Sequence, residues 1–331
     1  MASNKSALTT DKIIASIKRR TMMPESSITF SKDDLIEFLN EEMSIGVVPS
    51  ILQMRDEYLV YRDIVAIQSG VSIYPIPSRA IGNKLREVAY SDDTVNEYNM
   101  TQIELDNKIS NNFLSQGGFY ASQFYIQGSD IHLHPSNFNY SGYLFIYYYM
   151  RPNFLVQDNK VAVITEIEKN SQGELTGKIF LDNIPTTYAS VSSGITTIKA
   201  TEFDFISSNS PNKILAWDIP GSINSEEHSI TISPSSIPTD LKVGDYMPVA
   251  GETCVPNIPT ELHPILAQRV ALRVLEALGD SAGLANAKAK LDEMEAKTGV
   301  LIDSRVEGSP VKIKNRQMQY TLRGRFMRGT F

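Results

Sequence analysis

The hydrophobic period changes twice along this chain, and that pattern constrains the fold more than any single residue. Up to about Arg62, apolar residues recur at helical spacing. From Val65 to Cys254 they alternate in short runs broken by Gly and Pro. From Thr260 the helical spacing returns. The expected order is therefore helix, then β, then helix.

The first sixty residues predict three helices. Thr10 is a candidate cap for a short helix, with Asp11 in its first turn and Ile13, Ile14 and Ile17 on one side, ended by Met22-Met23-Pro24. Ser31, with Asp34 three residues on, has the spacing of a capping box ahead of the stripe Leu35, Ile36, Phe38, Leu39 and Met43. Gly46 to Pro49 predict a break. A third helix is then expected from Pro49 or Ser50 to about Arg62, with Ile51, Met54, Tyr58 and Tyr61 on its apolar side.

The middle reads as strands. Tyr143 to Met150 is apolar on both faces, as in a central strand of a sandwich or barrel, and Pro152 ends it. Val161–Glu168 and Lys178–Leu181 predict a hairpin around the polar loop Asn170–Gly177. Ile195–Ile206 and Ser229–Ile232 predict further strands, and Leu241–Tyr246 a turn into the last one. Thr94–Ser110 is polar and fits helix or loop.

Near the C-terminus Leu262, Leu266, Val270, Val274 and Leu278 recur every four residues, and Gly279 is a stop. Ser281 is expected to cap another helix, with Leu284, Ala287, Leu291 and Met294 along its seam and Gly299 at its end. The fold class is thus α+β. A discontinuous helical domain from residues 1–63 and 258–299 is expected to carry an inserted antiparallel β barrel or sandwich, 64–257, of one or two subdomains. Residues 300–331 would form an extended C-terminal arm.

Composition narrows the chemistry. A hydrophobic fraction of 42% over 331 residues supports a sizeable core. The single cysteine, Cys254, excludes an internal disulfide and fits a protein made in a reducing cytoplasm; it reads as a small buried hydrophobe. The N-terminus lacks an apolar signal segment, and no run approaches the roughly 20 apolar residues of a membrane span. Phosphate-binding glycine loops and a Gly-x-Ser-x-Gly elbow are absent from the sequence. His132 and His134, with Asp130, share a strand face, but that pattern fits a strand edge before Pro135 better than a metal site. Trp217–Asp218 fits a core anchor better than a sugar platform. No catalytic, metal or cofactor residue is assigned.

Charge is unevenly distributed. Lys312, Lys314, Arg316, Arg323, Arg325 and Arg328 are the only charged residues from 312 onward. Of the chain's 31 basic residues, 25 remain to face 38 acidic ones, a net of −13 for the first 311 residues. With Tyr320, Phe326 and Phe331 interleaved, this basic segment has three readings: docking on an acidic protein groove, contact with nucleic acid, or a solvated tail. An acidic body weakens the second.

Three stretches carry a family resemblance. They are Ile76-Pro77-Ser78-Arg79-Ala80-Ile81-Gly82-Asn83-Lys84-Leu85-Arg86, then Ile258 to Val270 continuing to Leu278-Gly279-Asp280, and Asp303 to Pro310 with its basic follow-on. They resemble the head-to-tail connector or neck proteins of tailed bacteriophages, including the adaptor and tail tubular proteins of short-tailed phages. The resemblance lies in the helical ends and residues 76–86 and is weak across 95–255. It implies a homo-oligomeric ring, often a dodecamer, beneath the portal protein in the virion neck. Further neck or tail proteins would lie below, and packaged DNA would pass through the lumen without sequence-specific binding. The arm residues Lys312, Lys314, Arg316, Tyr320, Arg323, Arg325, Phe326, Arg328 and Phe331 would dock on the portal. Arg79, Lys84 and Arg86 read as a solvated basic loop or, alternatively, as salt bridges between subunits. A rival reading is a tail fibre or baseplate component that binds a surface glycan through the β region.

Overall fold

A computed structural model describes residues 8–24, 29–93, 95–105, 123–134, 141–192, 195–209 and 212–301. The expected arm, with its nine docking residues, lies outside these, as do Thr94 and residues 106–110; the described part of Thr94–Ser110 is loop with two short strands, Tyr98–Asn99 and Thr101–Gln102.

The helices form where the apolar stripes predicted them, with corrections at their ends. Helix α1 is Thr10–Arg20, with Ile13, Ile14 and Ile17 buried. Thr10 does not cap it: its hydroxyl donates to the carbonyl of Cys254 at 3.0 Å, and Thr9 holds the cap position. Helix α2, Lys32–Glu42, begins with the predicted capping box: Asp34 N–H donates to Ser31 Oγ, and Ser31 N–H to the Asp34 carboxylate. No break follows. The chain passes through a π-turn, Met43–Val47, directly into α3, Val48–Met54. Pro49 sits in the first turn of α3. The expected run to Arg62 fails because a short 3-10 turn, Asp56–Leu59, leads into a strand at Val60. Tyr61 and Arg62 are strand residues that happened to continue the helical spacing.

The first β module has strands β1 (Val60–Ile67), β2 (Ile73–Pro75), β3 (Ala80–Ser91), β4 (Tyr98–Asn99), β5 (Thr101–Gln102), β6 (Gln123–Gln127), β7 (Asp130–His134) and β8 (Gly142–Met150). They form two four-stranded sheets, β1-β8-β3-β4 and β2-β7-β6-β5, antiparallel except for the β5–β6 pair. The two sheets share one hydrophobic cluster that includes Tyr74, Phe124, Ile131, Leu144, Ile146 and Tyr148. Strand β8 is central, as its two apolar faces required.

A short strand, β9 (Phe154–Leu155), leads to the second module. Its strands are β10 (Ala162–Lys169), β11 (Leu175–Leu181), β12 (Ala189–Ser192), β13 (Ile195–Ile198), β14 (Glu202–Ile206), β15 (Ile214–Asn224), β16 (Ser229–Ile232) and β17 (Tyr246–Met247). Six of them close an antiparallel barrel in the order β10-β11-β16-β15-β14-β17, with β12–β13 as a separate hairpin. Phe203, Phe205, Ile179, Ile230 and Tyr188 fill the barrel. The predicted β10–β11 hairpin is present, whereas Ile195–Ile206 proves to be two strands, β13 and β14. The last strand, β18 (Glu252–Thr253), pairs in parallel with β9.

After a 3-10 turn at Thr260–Leu262 come α4 (His263–Leu278) and α5 (Ser281–Leu301). Gly279 ends α4 in the left-handed conformation, φ 71°. The carboxylate of Asp280, not Ser281, accepts from Gly283 N–H in the first turn of α5 at 2.9 Å, and the helix runs through Gly299 to Leu301. Helix α4 packs on α1 and α2. Ile13, Ile17, Leu35, Leu39, Leu266, Val270 and Val274 belong to a single buried cluster, against which Leu291 and Met294 of α5 also pack. Burying each such side chain contributes about 1.5–3 kcal/mol.

Candidate functional site

The residues 76–86 that carry the resemblance lie where the modules meet. Ile76 is buried in the core of the two-sheet module. Pro77 accepts from Ala80 N–H at 2.9 Å, closing the turn that carries Arg79. Gly82 and Asn83, at φ 55° and 56°, are consecutive left-handed residues in a stretch of β3 that bulges away from β8. Just before this bulge, Ile81 packs against the helical cluster. Just after it, Lys84 lies over the Tyr149 ring at 4.7 Å and Arg86 stands 3.8 Å from Asp56.

Arg79 is neither solvated nor free for a neighbour. Its side chain is 12% exposed, and it grips two carboxylates of the barrel. Nη1 donates to Asp204 Oδ2 at 2.8 Å, and Nη2 to Asp204 Oδ1 at 2.9 Å and to Asp218 Oδ1 at 2.5 Å. Nη1 also reaches Asn153 Oδ1 at 3.2 Å. Burial pulls the guanidinium pKa down, but the hydrogen bonds and charge of Asp204, then of Asp218, more than offset this, and the net shift is up.

Asp204 is fully buried and its lone pairs are taken. Besides the Arg79 fork, it accepts from Asn153 Nδ2 at 2.6 Å, from Asp218 N–H at 3.0 Å and from Gly251 N–H at 3.0 Å. A carboxylate so saturated holds geometry and has no position left for a reacting group.

A β-bulge builds the other half of this clasp. Phe203 pairs with Ile219 and Phe205 with Ala216, so Trp217 and Asp218 together oppose Asp204. The bulge aims Asp218, in the left-handed region at φ 54°, at Arg79. It aims Trp217 at Tyr61 of β1, edge-on at 5.6 Å. Trp217 is thus a partly buried anchor between the modules. Desolvation raises the pKa of Tyr61 to about 12.

Other polar contacts fasten the helices to the β modules. The amide of Asn40, in the last turn of α2, brackets Leu155: Nδ2 donates to its carbonyl at 3.1 Å, and Oδ1 accepts its N–H at 2.7 Å. Asp11 N–H in the first turn of α1 donates to Asp158 Oδ1 at 3.2 Å. Between helices, Arg273 pairs with Glu41, stands 3.5 Å from Glu42 and lies over the Phe38 ring at 5.2 Å. Arg269 joins Glu42 at 3.6 Å to Glu295 at 2.5 Å. Gly46 gives this arginine room, since a Cβ there would meet Nη1 at 2.7 Å.

His132 stacks on Tyr125 at 4.8 Å, its partner in the β6–β7 register, and His134 is buried. Among the described residues, no group of three His, Cys, Asp or Glu is arranged to hold a metal, and no helix is long and apolar enough to cross a membrane. Cys254 is buried, and desolvation pushes its thiol far up.

Sequence reasoning missed Asp204, Asn153 and Asn40. Asp204 had a signal, because one acid inside the apolar run Phe203-Asp204-Phe205-Ile206 must find a partner when buried. Asn153 and Asn40 sit in ordinary polar surroundings, and nothing local singles them out. No protein-family model matches this chain, and a search of curated proteins finds no relative.

Proposed function

We propose that this protein is a structural ring subunit of a tailed-bacteriophage neck, joining the portal to the tail and lining the DNA channel. The helices at the two ends of the chain act as one discontinuous domain, with the two β modules inserted into it. Its work is mechanical: it holds a fixed shape under load and passes DNA without binding it sequence-specifically. The basic, aromatic segment 312–331 anchors the subunit on the portal.

One observation carries this reading. Within the eleven residues of the resemblance, Ile76 and Leu85 pack in the two-sheet core, Ile81 packs against the helical cluster, and Arg79 pairs with Asp204 and Asp218 of the barrel. A load-transmitting subunit needs such a junction. An acidic body suits a channel wall, because it repels phosphate instead of trapping it. The glycan-binding alternative loses its best platform, since Trp217 packs edge-on against Tyr61.

Native mass of the full-length protein across a dilution series tests the proposal. A stable trimer contradicts it and favours a fibre. A closed ring of many copies supports it.

A further inference from the structure

The described residues leave the outer stripe of α2 uncovered. Asp33, Glu37 and Glu41 recur there at helical spacing, and with Ile36, Ile45 and Phe154 they border a surface groove of about 500 Å³. Ile45 is 77% exposed and Phe154 52%. The π-turn carries Ile45, and such turns commonly re-aim side chains at working surfaces. Glu41 is already paired with Arg273, and Asp33 accepts from Gln157 at 2.7 Å and stands 3.9 Å from Lys160, while Glu37 makes no ion pair among the described residues. An apolar floor with an acidic rim fits a segment that is basic and bears apolar anchors.

The chain supplies such a segment beyond the end of α5. Residues 312–331 hold six basic side chains, no acidic one, and Tyr320, Phe326 and Phe331. Near the end of α5, Glu295 and Thr298 share a small cleft with Val47, the last residue of the π-turn, and Ser50 of α3. Arg269 bridges Glu42 and Glu295 across the same place. The ten residues from 302 to 311 reach at most about 35 Å, roughly twice the ~16 Å length of α2. A link within one chain is therefore sterically open.

We propose that in the free subunit the segment 312–331 docks in the α2 groove of its own chain and is released to its partner on assembly. The docking step does not depend on which partner follows, so its failure would leave the ring reading standing.

Carbodiimide cross-linking of dilute full-length protein, with peptide mapping, tests this. The expected product has monomer mass and joins Lys312 or Lys314 to Asp33 or Glu37. Its yield should collapse at 1 M salt, where the screening length is about 3 Å. It should fall about tenfold in Ile45→Arg, a change at an exposed site whose fold a thermal melt would check, and equally in the triple variant Arg323→Glu, Arg325→Glu, Arg328→Glu. Links only in products of dimer mass, or lysine links spread over other acids and unchanged in the variants, would overturn the proposal.

Discussion

Arg79 and Arg273 each face two carboxylates, yet they stand in opposite surroundings. Arg79 is 12% exposed and its principal partner Asp204 is fully buried. Arg273 is 35% exposed, and its partner Glu41 43%. Removing water strengthens each contact at the first site and makes the loss of a partner costly. At the second, solvent and salt screen the same chemistry. One cluster therefore adds a buried polar clasp between the two β modules, beside the apolar cluster that joins Tyr148 to Ile206 and Ile214. The other trims the seam between α2 and α4, which apolar burial already holds.

The largest effect should come from breaking the buried cluster. Asp204→Ala takes the forked partner from Arg79, leaving it Asp218 and Asn153, and strands the N–H groups of Asp218 and Gly251, at a cost of about 3–5 kcal/mol in urea unfolding. A loss under about 1 kcal/mol would mean that water replaces the carboxylate and that the clasp is not the joint. Next comes Asn40→Ala, which leaves both backbone groups of Leu155 without their bracket. About 1–3 kcal/mol is expected from denaturant midpoints at constant m-value. Arg273→Ala should cost about 0.2–1 kcal/mol and no more than that in 1 M salt, where the Asp204→Ala deficit persists. Equal salt sensitivity at the two sites would erase the contrast.

The smallest effect is one of pH. His263 is buried in the first turn of α4, with Nε2 3.2 Å from the Ile258 carbonyl, and burial lowers its pKa from the ordinary 6.5. The unfolded chain takes up a proton below 6.5, whereas the folded chain does so only at the lowered value. Its contribution is therefore complete above 6.5 and is lost as pH falls toward that value. Unfolding free energy measured between pH 7 and 5 should decline, and His263→Gln should flatten that part of the slope.

Legibility divided along similar lines. Elements defined by a repeating apolar pattern were readable: α2 with its capping box, α4 with its Gly279 stop, the central strand β8 and the β10–β11 hairpin. Features made by contacts far apart in sequence were not. Tyr58 and Tyr61 continued a helical spacing, but packing of Tyr61 against Trp217, 156 positions away, goes with a strand. The π-turn replaced the break expected at Gly46, because Gly46 admits Arg269 from α4. Arg79 looked like a surface residue because its partners, Asp204 and Asp218, lie over a hundred positions on.

The central claim is a subunit that forms a ring on a portal. Cryo-electron microscopy of the full-length protein mixed with its candidate portal tests it most directly, alongside the variant with Arg323, Arg325 and Arg328 each changed to Glu. The account predicts a closed ring seated on the portal for the unaltered chain, with density for residues 312–331 in portal grooves, and no ring for the variant. A portal left bare by both proteins, with the unaltered chain remaining a monomer or trimer, would contradict it.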